Sequence, residues 1–567
     1  MSIVGIDLGT THSLISTFRD GEPKLIPNGL GDFLTPSVVS VDANGAILVG
    51  RAARDRLITH PECTVAQFKR AMGSRKTFRL RDKTFLPEEL SALVLRALKE
   101  DAEAFLGEPV IEAVISVPAY FNDAQRKATK AAGQLAGLKV ERLINEPTAA
   151  AVAYGLPQID KELRFLVFDL GGGTFDVSIL ELFDGTMEVH AASGDNFLGG
   201  DDFDQALVNA FLASRKMHPE NLDSRSLAKL KRRAEAAKIR LSSEKSTDLA
   251  MEIAGNIDTW NLTRDDFEEL SKPLLQRLRI PVEKALRDSK LHTSDLDSVI
   301  LVGGSTRIPI VRSLVARMFG RIPLTHLDPD QIVALGAGIH AAMKEKDHAL
   351  REVVMTDVSP YTMGIEIARE VAPETYQGGH FLPIIERNTT VPVSRSHLIN
   401  PVKEGQAILE LEIYQGESRL VANNVHLGRL KVPLPKGTRD ELVVEIRFTY
   451  DINGLLEAEA HVLKTGAKFS VVIEENPGVL SKGEIEERFR ALADLKIHPR
   501  DQAENRALLA RLERLYEESL GGQRDYLGQE TTAFAVALEK QEPKAIAAAK
   551  ERANAAARTA EEDDRLS

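Results

Sequence analysis

Short runs of apolar residues alternate with amphipathic stretches from the N-terminus to about residue 345. The run "EAVISVPAYF" has the composition of a buried strand, and "NDAQRKATKAAGQLAGL" after it has the spacing of a helix whose cap is Asn122 or Asp123. The same succession recurs in "VERLINEPTAAAVAYGL" and in "DSVILVGGSTRIPIVRSLVARMF". Strands interleaved with helices predict an α/β architecture for this part of the chain.

A different pattern begins after "HALREVVMTDVSP". The stretches "QAILELEIY", "ELVVEIRFTY" and "LLEAEAHVL" alternate apolar and polar residues with period two, which predicts half-buried strands. Asn453-Gly454 is a tight-hairpin signal, and "KFSVVIEE" ends this β-rich block. The spacing of Ser481 and Glu484 predicts a capping box, and the Ala-, Glu-, Arg- and Leu-rich chain from there to Ser567 is predicted to be helical. The pattern therefore predicts an α/β part, a β part and an α part in series.

Length and composition narrow the class of protein. A chain of 567 residues is too long for one core and predicts about three or four domains. The formal charge of −12 argues against a nucleic-acid surface, which would need clustered Lys and Arg. The single cysteine, Cys63, excludes an internal disulfide and fits a reducing compartment. Asp7 interrupts the first apolar run and no apolar stretch reaches membrane-spanning length, so we expect a cytoplasmic protein without membrane insertion.

Two similar glycine hairpins, "IVGIDLGTTHSLIS" and "FLVFDLGGGTFDVSI", give the first chemical signal. Glycine lets successive backbone N–H groups approach an anion because no Cβ intervenes, and threonine hydroxyls add donors. An aspartate at the strand end, such as Asp7 or Asp169, suits a Mg²⁺ ion that keeps its water shell. Two such hairpins facing each other would hold the β- and γ-phosphates of a nucleotide, although a single one is better explained as a plain turn. A third glycine loop, "LVGGSTRIP", joins a strand to a helix, and no Walker A sequence occurs.

The motifs "GIDLGTTHS", "VPAYFNDAQR", "INEPTAAAVAYG", "DLGGGTFDVSI" and "VGGSTRIP" follow one another in the order and spacing of the DnaK-type heat-shock chaperones. By these motifs the chain resembles that family over essentially its whole length, and it looks nearest to the shorter bacterial HscC branch. The resemblance implies a multidomain protein with a two-lobed α/β ATPase domain of the actin-like (ribonuclease H-like) fold, then a β-sandwich peptide-binding domain, then an α-helical lid. The implied boundaries are 1–350 for the ATPase domain, 351–358 for the interdomain linker, 359–476 for the β-rich substrate-binding domain and 477–567 for the lid.

The resemblance also implies a site for ATP and ADP with Mg²⁺, and it leaves K⁺ open as a further ion. Asp7 and Asp169 match the residues that hold the hydrated magnesium, and Lys69 matches the lysine that positions the attacking water. Phosphoryl transfer of this kind needs positioning and charge stabilisation without a covalent enzyme group. The residues that match the family's catalytic set are Lys69, Glu146, Asp169, Thr174 and Asp176. The residues that match its nucleotide contacts are Asp7, Gly9, Thr10, Thr11, Gly171, Gly172, Gly173, Thr174, Gly199, Gly200, Glu235, Lys238, Ser242, Gly303, Gly304, Ser305, Arg307 and Gly336.

The adenosine end of this site departs from some family members. By resemblance, the helix of "AEAAKIRLSSE" cups the base, and Arg307 lies over one face of the adenine. Some members place a second arginine where this chain has Ile239, so we expect a one-sided stack with an apolar contact.

Two further groups of residues are matched by resemblance. The residues that match the family's interdomain coupling are Pro118, Arg126, Arg142 and Asp357. The residues that match its peptide pocket are Ile365, Ile399, Leu409 and Leu411, and for each of these an ordinary sandwich-core position is an equal alternative.

The implied partners are unfolded or dedicated client polypeptides and a J-domain co-chaperone. Several departures bear on them. His12 replaces the usual Asn in the first phosphate loop, and Thr356 interrupts the aliphatic linker, where it would weaken docking. The segment between Ile367 and Pro392 is longer than usual, so the resemblance does not define the rim of the peptide groove. The segment from Ser243 to Asn261 is shortened where many members receive a nucleotide-exchange factor, which leaves that partner open.

The function implied by the resemblance is that of an ATP-dependent chaperone, an ATP hydrolase that binds extended apolar segments and releases them through an interdomain switch. A sugar kinase or an actin-like filament protein, which share the ATPase fold, are the alternatives. Neither needs the β-rich and helical parts that follow residue 345, so we favour the chaperone.

Overall fold

The computed structural model describes residues 2–155, 161–253, 256–324, 328–345, 354–372, 375–451, 454–473 and 498–566. The chain forms two compact units. The first unit comprises Met1–Tyr361 with Glu386–Val391, and the second comprises Thr362–Ile385 with Pro392–Ser567. Within the described ranges, no helix combines the length and the apolar character needed to cross a bilayer.

Strands and helices alternate through the first unit. Its strands, in chain order, are β1 Ser2–Asp7, β2 His12–Arg19, β3 Glu22–Ile26, β4 Thr35–Pro36, β5 Val38–Val41, β6 Ile47–Val49, β7 Thr64–Ala66, β8 Phe78–Leu80, β9 Lys83–Phe85, β10 Val110–Val117, β11 Lys139–Asn145, β12 Leu163–Leu170, β13 Phe175–Phe183, β14 Thr186–Asp195, β15 Ser246–Ile253, β16 Asn256–Thr263, β17 Ser298–Val302 and β18 Val354–Val358. Its helices are α1 Arg51–Thr59, α2 Pro87–Leu106, α3 Asp123–Leu135, α4 Glu146–Gly155, α5 Gly200–Ser214, α6 Ser224–Leu241, α7 Arg264–Ser289, α8 Pro309–Phe319 and α9 Ile332–Glu345.

Two six-stranded sheets lie at the centre of the first unit, and each is built around a hairpin. One has the order β11-β10-β1-β2-β3 with β4 also paired to β2, and the other has the order β17-β12-β13-β14-β18, ending in a short strand, β21 (Thr390–Val391). The two strands of each hairpin, β1–β2 and β12–β13, pair antiparallel with each other. The first strand of each hairpin also pairs in parallel with a further strand, β1 with β10 and β12 with β17. The two "DLG" stretches therefore occupy equivalent loops, as their similarity predicts.

The predicted strand-to-helix units are confirmed. The strand β10 precedes α3, β11 precedes α4, and β17 precedes α8. Of the two residues predicted as the cap of α3, Asn122 takes that position, because its side chain accepts a 3.0 Å hydrogen bond from the N–H of Gln125. The side chain of Gln125 accepts the N–H of Asn122 in return, which completes a capping box.

Glycine allows two close backbone approaches beneath the sheets. A Cβ on Gly336 of α9 would lie 1.9 Å from the carbonyl oxygen of Ala149 in α4. A Cβ on Gly5 of β1 would lie 2.1 Å from the nitrogen of Gly338 in α9. No other residue fits at either position without displacing backbone, so packing alone requires Gly336.

The segment predicted as the linker is a strand of the first unit where the structure describes it. The strand β18 pairs in parallel with β14, where Glu188 lies opposite Thr356, and antiparallel with β21, where Asp357 lies opposite Val391. Thr356 therefore does not prevent the segment from joining the sheet. Residues 346–353 lie outside the described residues.

The β-rich part of the second unit consists of two four-stranded antiparallel sheets. The strands are β19 Met363–Ala372, β20 Thr375–Ile385, β22 Val393–Ile399, β23 Ile408–Gln415, β24 Val425–Pro433, β25 Val444–Tyr450, β26 Leu456–Val462 and β27 Ala467–Ile473. They form the orders β20-β19-β23-β24 and β22-β25-β26-β27. The period-two strands are confirmed, since inward residues of β23, β25 and β26 are buried and their neighbours are more exposed. The hairpin between β25 and β26 is present, although Asn453 itself lies outside the described residues.

Three helices complete the described part of the second unit. They are α10 Ala503–Glu518, α11 Gly521–Lys540 and α12 Pro543–Leu566. Leucines of α10, Leu527 and Phe534 of α11 and the alanines of α12 form one apolar cluster. The ion pair of Arg511 with Glu561, at 2.7 Å, ties the first of these helices to the last. The predicted capping box at Ser481 and Glu484 lies outside the described residues.

Candidate functional site

A cavity of about 380 Å³ opens between the glycine hairpins of the first unit. It is lined by the loops after β1, β12 and β17, by the 3₁₀ turn Phe68–Ala71, and by α6. The structure brings most of the sequence-predicted nucleotide and catalytic residues to this one cavity. Those that line it are Asp7, Gly9, Thr10, Thr11, Lys69, Glu146, Asp169, Gly171, Gly172, Thr174, Gly200, Glu235, Lys238, Ser242, Gly303, Gly304, Ser305 and Arg307.

Four predicted residues lie behind the wall of this cavity. Gly173 packs against the opposite hairpin, because a Cβ there would lie 2.6 Å from Cγ2 of Thr10. Gly199 packs on the backbone of Gly172, and Gly336 packs on α4. Asp176 lies opposite Asp169 on the neighbouring strand, and its Oδ1 accepts a 3.0 Å hydrogen bond from the N–H of Tyr120.

Lys69 is buried, which distinguishes it from an ordinary surface lysine. Its side chain is 3% exposed, and its Nζ lies 2.7 Å from Oε1 of Glu146, the first residue of α4. The same ammonium lies 5.6 Å from the centre of the Phe121 ring. The pair holds the lysine at one fixed position in the wall of the cavity.

Several buried carboxyl groups lie near the single ammonium group of Lys69. Burial, with the neighbouring Glu146, raises the pKa of Asp7 to about 7 and raises the pKa of Asp169 well above its usual range. Burial and Glu146 likewise raise the pKa of Asp176 to about 7. The Oδ2 atom of Asp176 has no hydrogen-bond partner among the residues that the structure describes. Such a set of carboxylate oxygens fits a hydrated divalent cation, whose charge would favour their ionised forms.

The opposite wall is suited to an anion. Helix α5 begins at Gly200, and the N-terminus of a helix carries a partial positive charge with free N–H groups. A Cβ on Gly172 would lie 1.9 Å from Oγ1 of Thr11, so the two hairpins touch only because glycine is present. That Thr11 hydroxyl has no hydrogen-bond partner among the described residues. Backbone and hydroxyl donors therefore converge where phosphates would lie.

The α6 end of the cavity holds its polar side chains in fixed positions. Lys238 is paired with Asp204 at 2.8 Å and donates to the carbonyl oxygen of Gly200 at 3.0 Å. Glu235 is paired with Arg54 at 3.1 Å. The guanidinium of Arg307 is held by Asp328 at 2.7 Å and by Asp330 at 2.8 Å. Ile239 lines the same region and is 59% exposed, so it offers apolar surface.

Several charged residues of the site were not predicted from the sequence, among them Asp330, which lines the cavity and pairs with Arg307. Asp201 directly follows the predicted Gly200 and Asp204 comes three residues later, and the run "GGDDFD" could have indicated both. Arg54 comes from α1 and Arg70 directly follows the predicted Lys69, and folding brings them to their partners Glu235 and Gly173. His12, noted as a departure, lines the cavity with Nε2 3.3 Å from Arg54, and burial and that arginine lower the pKa of its imidazole.

The residues predicted to couple the domains lie together in the first unit. Arg126 donates to Oδ1 of Asn145 at 2.6 Å, and Nδ2 of Asn145 donates to Asp357 at 2.8 Å. Burial raises the pKa of Asp357 and lowers that of Arg142, and each of these two charges partly offsets the shift of the other. Pro118 accepts the N–H of Phe121 in the turn that precedes α3.

The predicted peptide residues are divided between the two sheets of the second unit. Ile365 of β19 and Leu409 and Leu411 of β23 are buried in one sheet. Ile399 ends β22 in the other sheet and is half-buried. Their assignment to a peptide pocket stays a prediction.

Fold and site together define a multidomain ATPase with additional sheet and helical parts. The Hsp70 family model, described as "Hsp70 protein", matches residues 3–79 and 76–564, and the chain belongs to the Hsp70 family. It is 44% identical over 485 residues to "Chaperone protein DnaK" of Thermotoga neapolitana and of Thermotoga maritima, which covers 83% of this chain and 80% of each relative. "Chaperone protein DnaK" of Thermosipho africanus is equally similar over 79% of its length. The protein is thus an ATP-dependent chaperone that hydrolyses ATP, and a sugar kinase or filament protein is excluded.

Proposed function

We propose that ATP binds in the cavity of the first unit with its β- and γ-phosphates between the two glycine hairpins. Its base then lies against α6 and Arg307, with the apolar side chain of Ile239 close by. The convergence of both hairpins, α6 and the third glycine loop on one cavity supports this orientation.

The buried pair of Lys69 and Glu146 is the observation that carries the proposal. Burying an ion pair is costly, so a lysine held at the phosphate loops is better explained by chemistry than by stability. Lys69 orients the attacking water at the γ-phosphate, and Glu146 keeps Lys69 in position. Thr174 contacts the phosphate from the second hairpin, and Asp176 helps to order the water.

Asp7 and Asp169 would hold Mg²⁺ through its water shell. Their raised pKa values and the unpartnered Oδ2 of Asp176 support a cation at this end of the cavity, within the residues described. When bound, Mg²⁺ supplies charge neutralisation at the phosphate oxygens.

The catalytic assignment is tested with Lys69→Ala and Thr174→Ala in the full chain. We expect both variants to bind nucleotide with nearly unchanged affinity and to hydrolyse it about 10²–10³-fold more slowly, because each loses an interaction that serves the transition state. Single-turnover hydrolysis and nucleotide titration separate the two effects. Lys76→Ala, at an exposed position nearby, is the control. Normal turnover in both site variants would contradict the assignment.

Extended apolar segments of client polypeptides are the proposed cargo of the second unit. The pairing of β19 with β23 covers Met363–Ile365, whereas β19 continues to Ala372. Within the described residues, the pairing of β19 with β23 ends at Ile365, so we propose that the strand edge just beyond it accepts another backbone, which is how extended peptides bind to sheets. Ile365, Ile399, Leu409 and Leu411 are the proposed pocket residues. Steady-state hydrolysis with and without a panel of extended apolar peptides tests this, and a rate indifferent to every peptide would point to a dedicated client.

The remaining proposals concern partners and classification. ATP favours the state with low client affinity, and hydrolysis, promoted by client and a J-domain co-chaperone, favours the state that retains the client. The proposed contacts of the J-domain co-chaperone are Arg142, Asn145 and Asp357. We propose no exchange factor, because β15 and β16 form only a short hairpin where such a factor would bind. The HscC branch is supported by that short segment. We also propose a cytoplasmic location and the division into 1–350, 351–358, 359–476 and 477–567.

A further inference from the structure

Arg70 follows Lys69 in the 3₁₀ turn Phe68–Ala71, and its side chain reaches the loop after β12 and the first turn of α5. Its Nε donates to the carbonyl oxygen of Gly173 at 3.1 Å, and its Nη2 lies 2.5 Å from Oδ2 of Asp202. The side chain is 20% exposed, and that of Asp202 is 23% exposed. Arg70 therefore joins the segment that carries Lys69 to the far side of the cavity.

The two partners of Arg70 lie next to residues that line the cavity, Thr174 and Asp201. Gly173 lies in the loop between β12 and β13, next to Thr174. Asp202 lies in the first turn of α5, and its Oδ2 also accepts the N–H of Gly199 at 2.8 Å. The same loop and helix are joined by two backbone hydrogen bonds of 2.9 Å, from Gly200 N–H to Gly171 and from Asp201 N–H to Gly172. The guanidinium of Arg70 thus contacts both the loop and the helix, which are themselves joined by hydrogen bonds.

We propose that Arg70 is a positioning residue for ATP hydrolysis, which fixes the distance between Lys69 and the second phosphate loop. This inference rests on the proposed role of Lys69. The hydrolysis rate depends on where the lysine-bound water meets the γ-phosphate, and a displacement of about 1 Å can cost about 10²-fold in rate. The ATP-binding groups themselves lie on the two hairpins and α6, so binding depends less on this distance.

The chemistry of the side chain makes the proposal specific to arginine. The planar guanidinium donates to a carbonyl and to a carboxylate at the same time, with fixed directions. A lysine at the same position retains the charge but lacks the fork, so it cannot reproduce both contacts with the same geometry. The substitution Arg70→Lys would therefore keep the positive charge but would not keep Lys69 in position.

The test compares Arg70→Lys, Arg70→Met and Asp202→Asn with the parent protein, all as full chains. We expect the single-turnover rate at saturating Mg·ATP to fall about 10–100-fold in both Arg70 variants, while the Kd for ATP changes less than about threefold. Arg75→Met, at an exposed position five residues along, is the matched control and should hydrolyse ATP at the parent rate. Combining Arg70→Met with Asp202→Asn should slow hydrolysis no further than Arg70→Met alone, because both remove the same contact.

Three outcomes would overturn the inference. These are an unchanged rate in both Arg70 variants, full activity of Arg70→Lys alone, or a loss of affinity and melting temperature that accounts for the whole loss of activity. Lys69→Ala is measured in parallel. If Lys69→Ala is slow and the Arg70 variants are not, only this inference fails. If Lys69→Ala turns over normally, the proposed function of the site fails first.

Discussion

At the scale of single residues, the site is a concentration of buried negative charge. Asp201 lines the cavity, its Oδ2 has no hydrogen-bond partner in the part of the chain described, and burial raises its pKa to about 7. Burial likewise raises the pKa of Asp204 to about 6, although Lys238 opposes the shift. The raised pKa values mean that burial favours the protonated forms of these carboxyl groups, and a bound cation would favour the ionised forms instead.

The stability of the ligand-free protein should therefore depend on pH through Asp201. Because its pKa is raised in the folded state, the folded protein binds more protons than the unfolded chain between pH 4 and pH 7. Stability must then fall as pH rises through this window, and the loss is complete above about pH 7. Asp201→Asn removes that loss and should raise the unfolding free energy at pH 8 relative to pH 5 by up to about 3 kcal/mol.

Urea unfolding of the first unit, without nucleotide or divalent cation, measures this difference at the two pH values. Asp184→Asn, at an exposed turn position, is the matched control and should leave the pH dependence unchanged. A variant with the same pH slope as the parent protein would show that the Asp201 carboxyl is not held protonated.

Most of the residues that line the cavity could be predicted from motifs, but the reasons for their presence could not. Gly336 is predicted as a nucleotide contact, yet the structure shows it against the carbonyl of Ala149, behind the cavity. Arg54 and Arg70 were missed because a basic residue on a short helix or turn looks like an ordinary surface residue in sequence. Their partners, Glu235 and Asp202, lie more than a hundred positions away along the chain, and only folding brings them together.

At the scale of elements, alternation and capping signals are local and were sufficient to predict several of the strands and helices. The strand-to-helix units and the β25–β26 hairpin are confirmed. The pairing of β18 with β14 and with β21 was not predicted, because it joins segments far apart in sequence. For the same reason, no pattern indicated that Glu386–Val391 belongs to the first unit, where Arg387 and Asn388 both contact Asp288.

Thr356 makes the stability of β18 testable. Its Oγ1 is buried and has no hydrogen-bond partner within the described residues, and an unsatisfied buried hydroxyl costs about 1–3 kcal/mol. Thr356→Val keeps a β-branched shape and removes that cost, so β18 should stay paired with β14 for a larger fraction of the time. We expect slower hydrogen exchange of the amides of Val354–Val358, by about tenfold.

Thr84→Val, at an exposed position of β9, is the control and should leave exchange in β18 unaltered. Faster exchange of β18 in Thr356→Val would mean that the hydroxyl supports the strand. The sequence-based expectation that Thr356 weakens docking would then be wrong.

At the scale of the whole molecule, a chaperone of this class must link nucleotide and client binding. Linkage is reciprocal, so a client loosened by ATP must loosen ATP by the same factor. The segment between the α/β and β parts of the chain is one covalent connection that could carry this coupling, and Asp357 lies in it. Asn145 joins Asp357 to Arg126, at the start of α3, through hydrogen bonds of 2.8 Å and 2.6 Å.

Asp357→Ala should therefore separate hydrolysis from its regulation. The substitution leaves every residue that lines the cavity in place, so we expect basal ATP hydrolysis within about twofold of the parent rate. Stimulation by client peptide should be lost, because the substitution removes the carboxylate that links β18 to Asn145 and, through it, to Arg126. Asp357→Asn retains an oxygen that accepts from Asn145 and removes only the charge, so partial stimulation in that variant would assign the coupling to the hydrogen bond. Equal loss in both variants would assign it to the charge facing Arg126 and Arg142, and unaltered stimulation in Asp357→Ala would show that the signal takes another route.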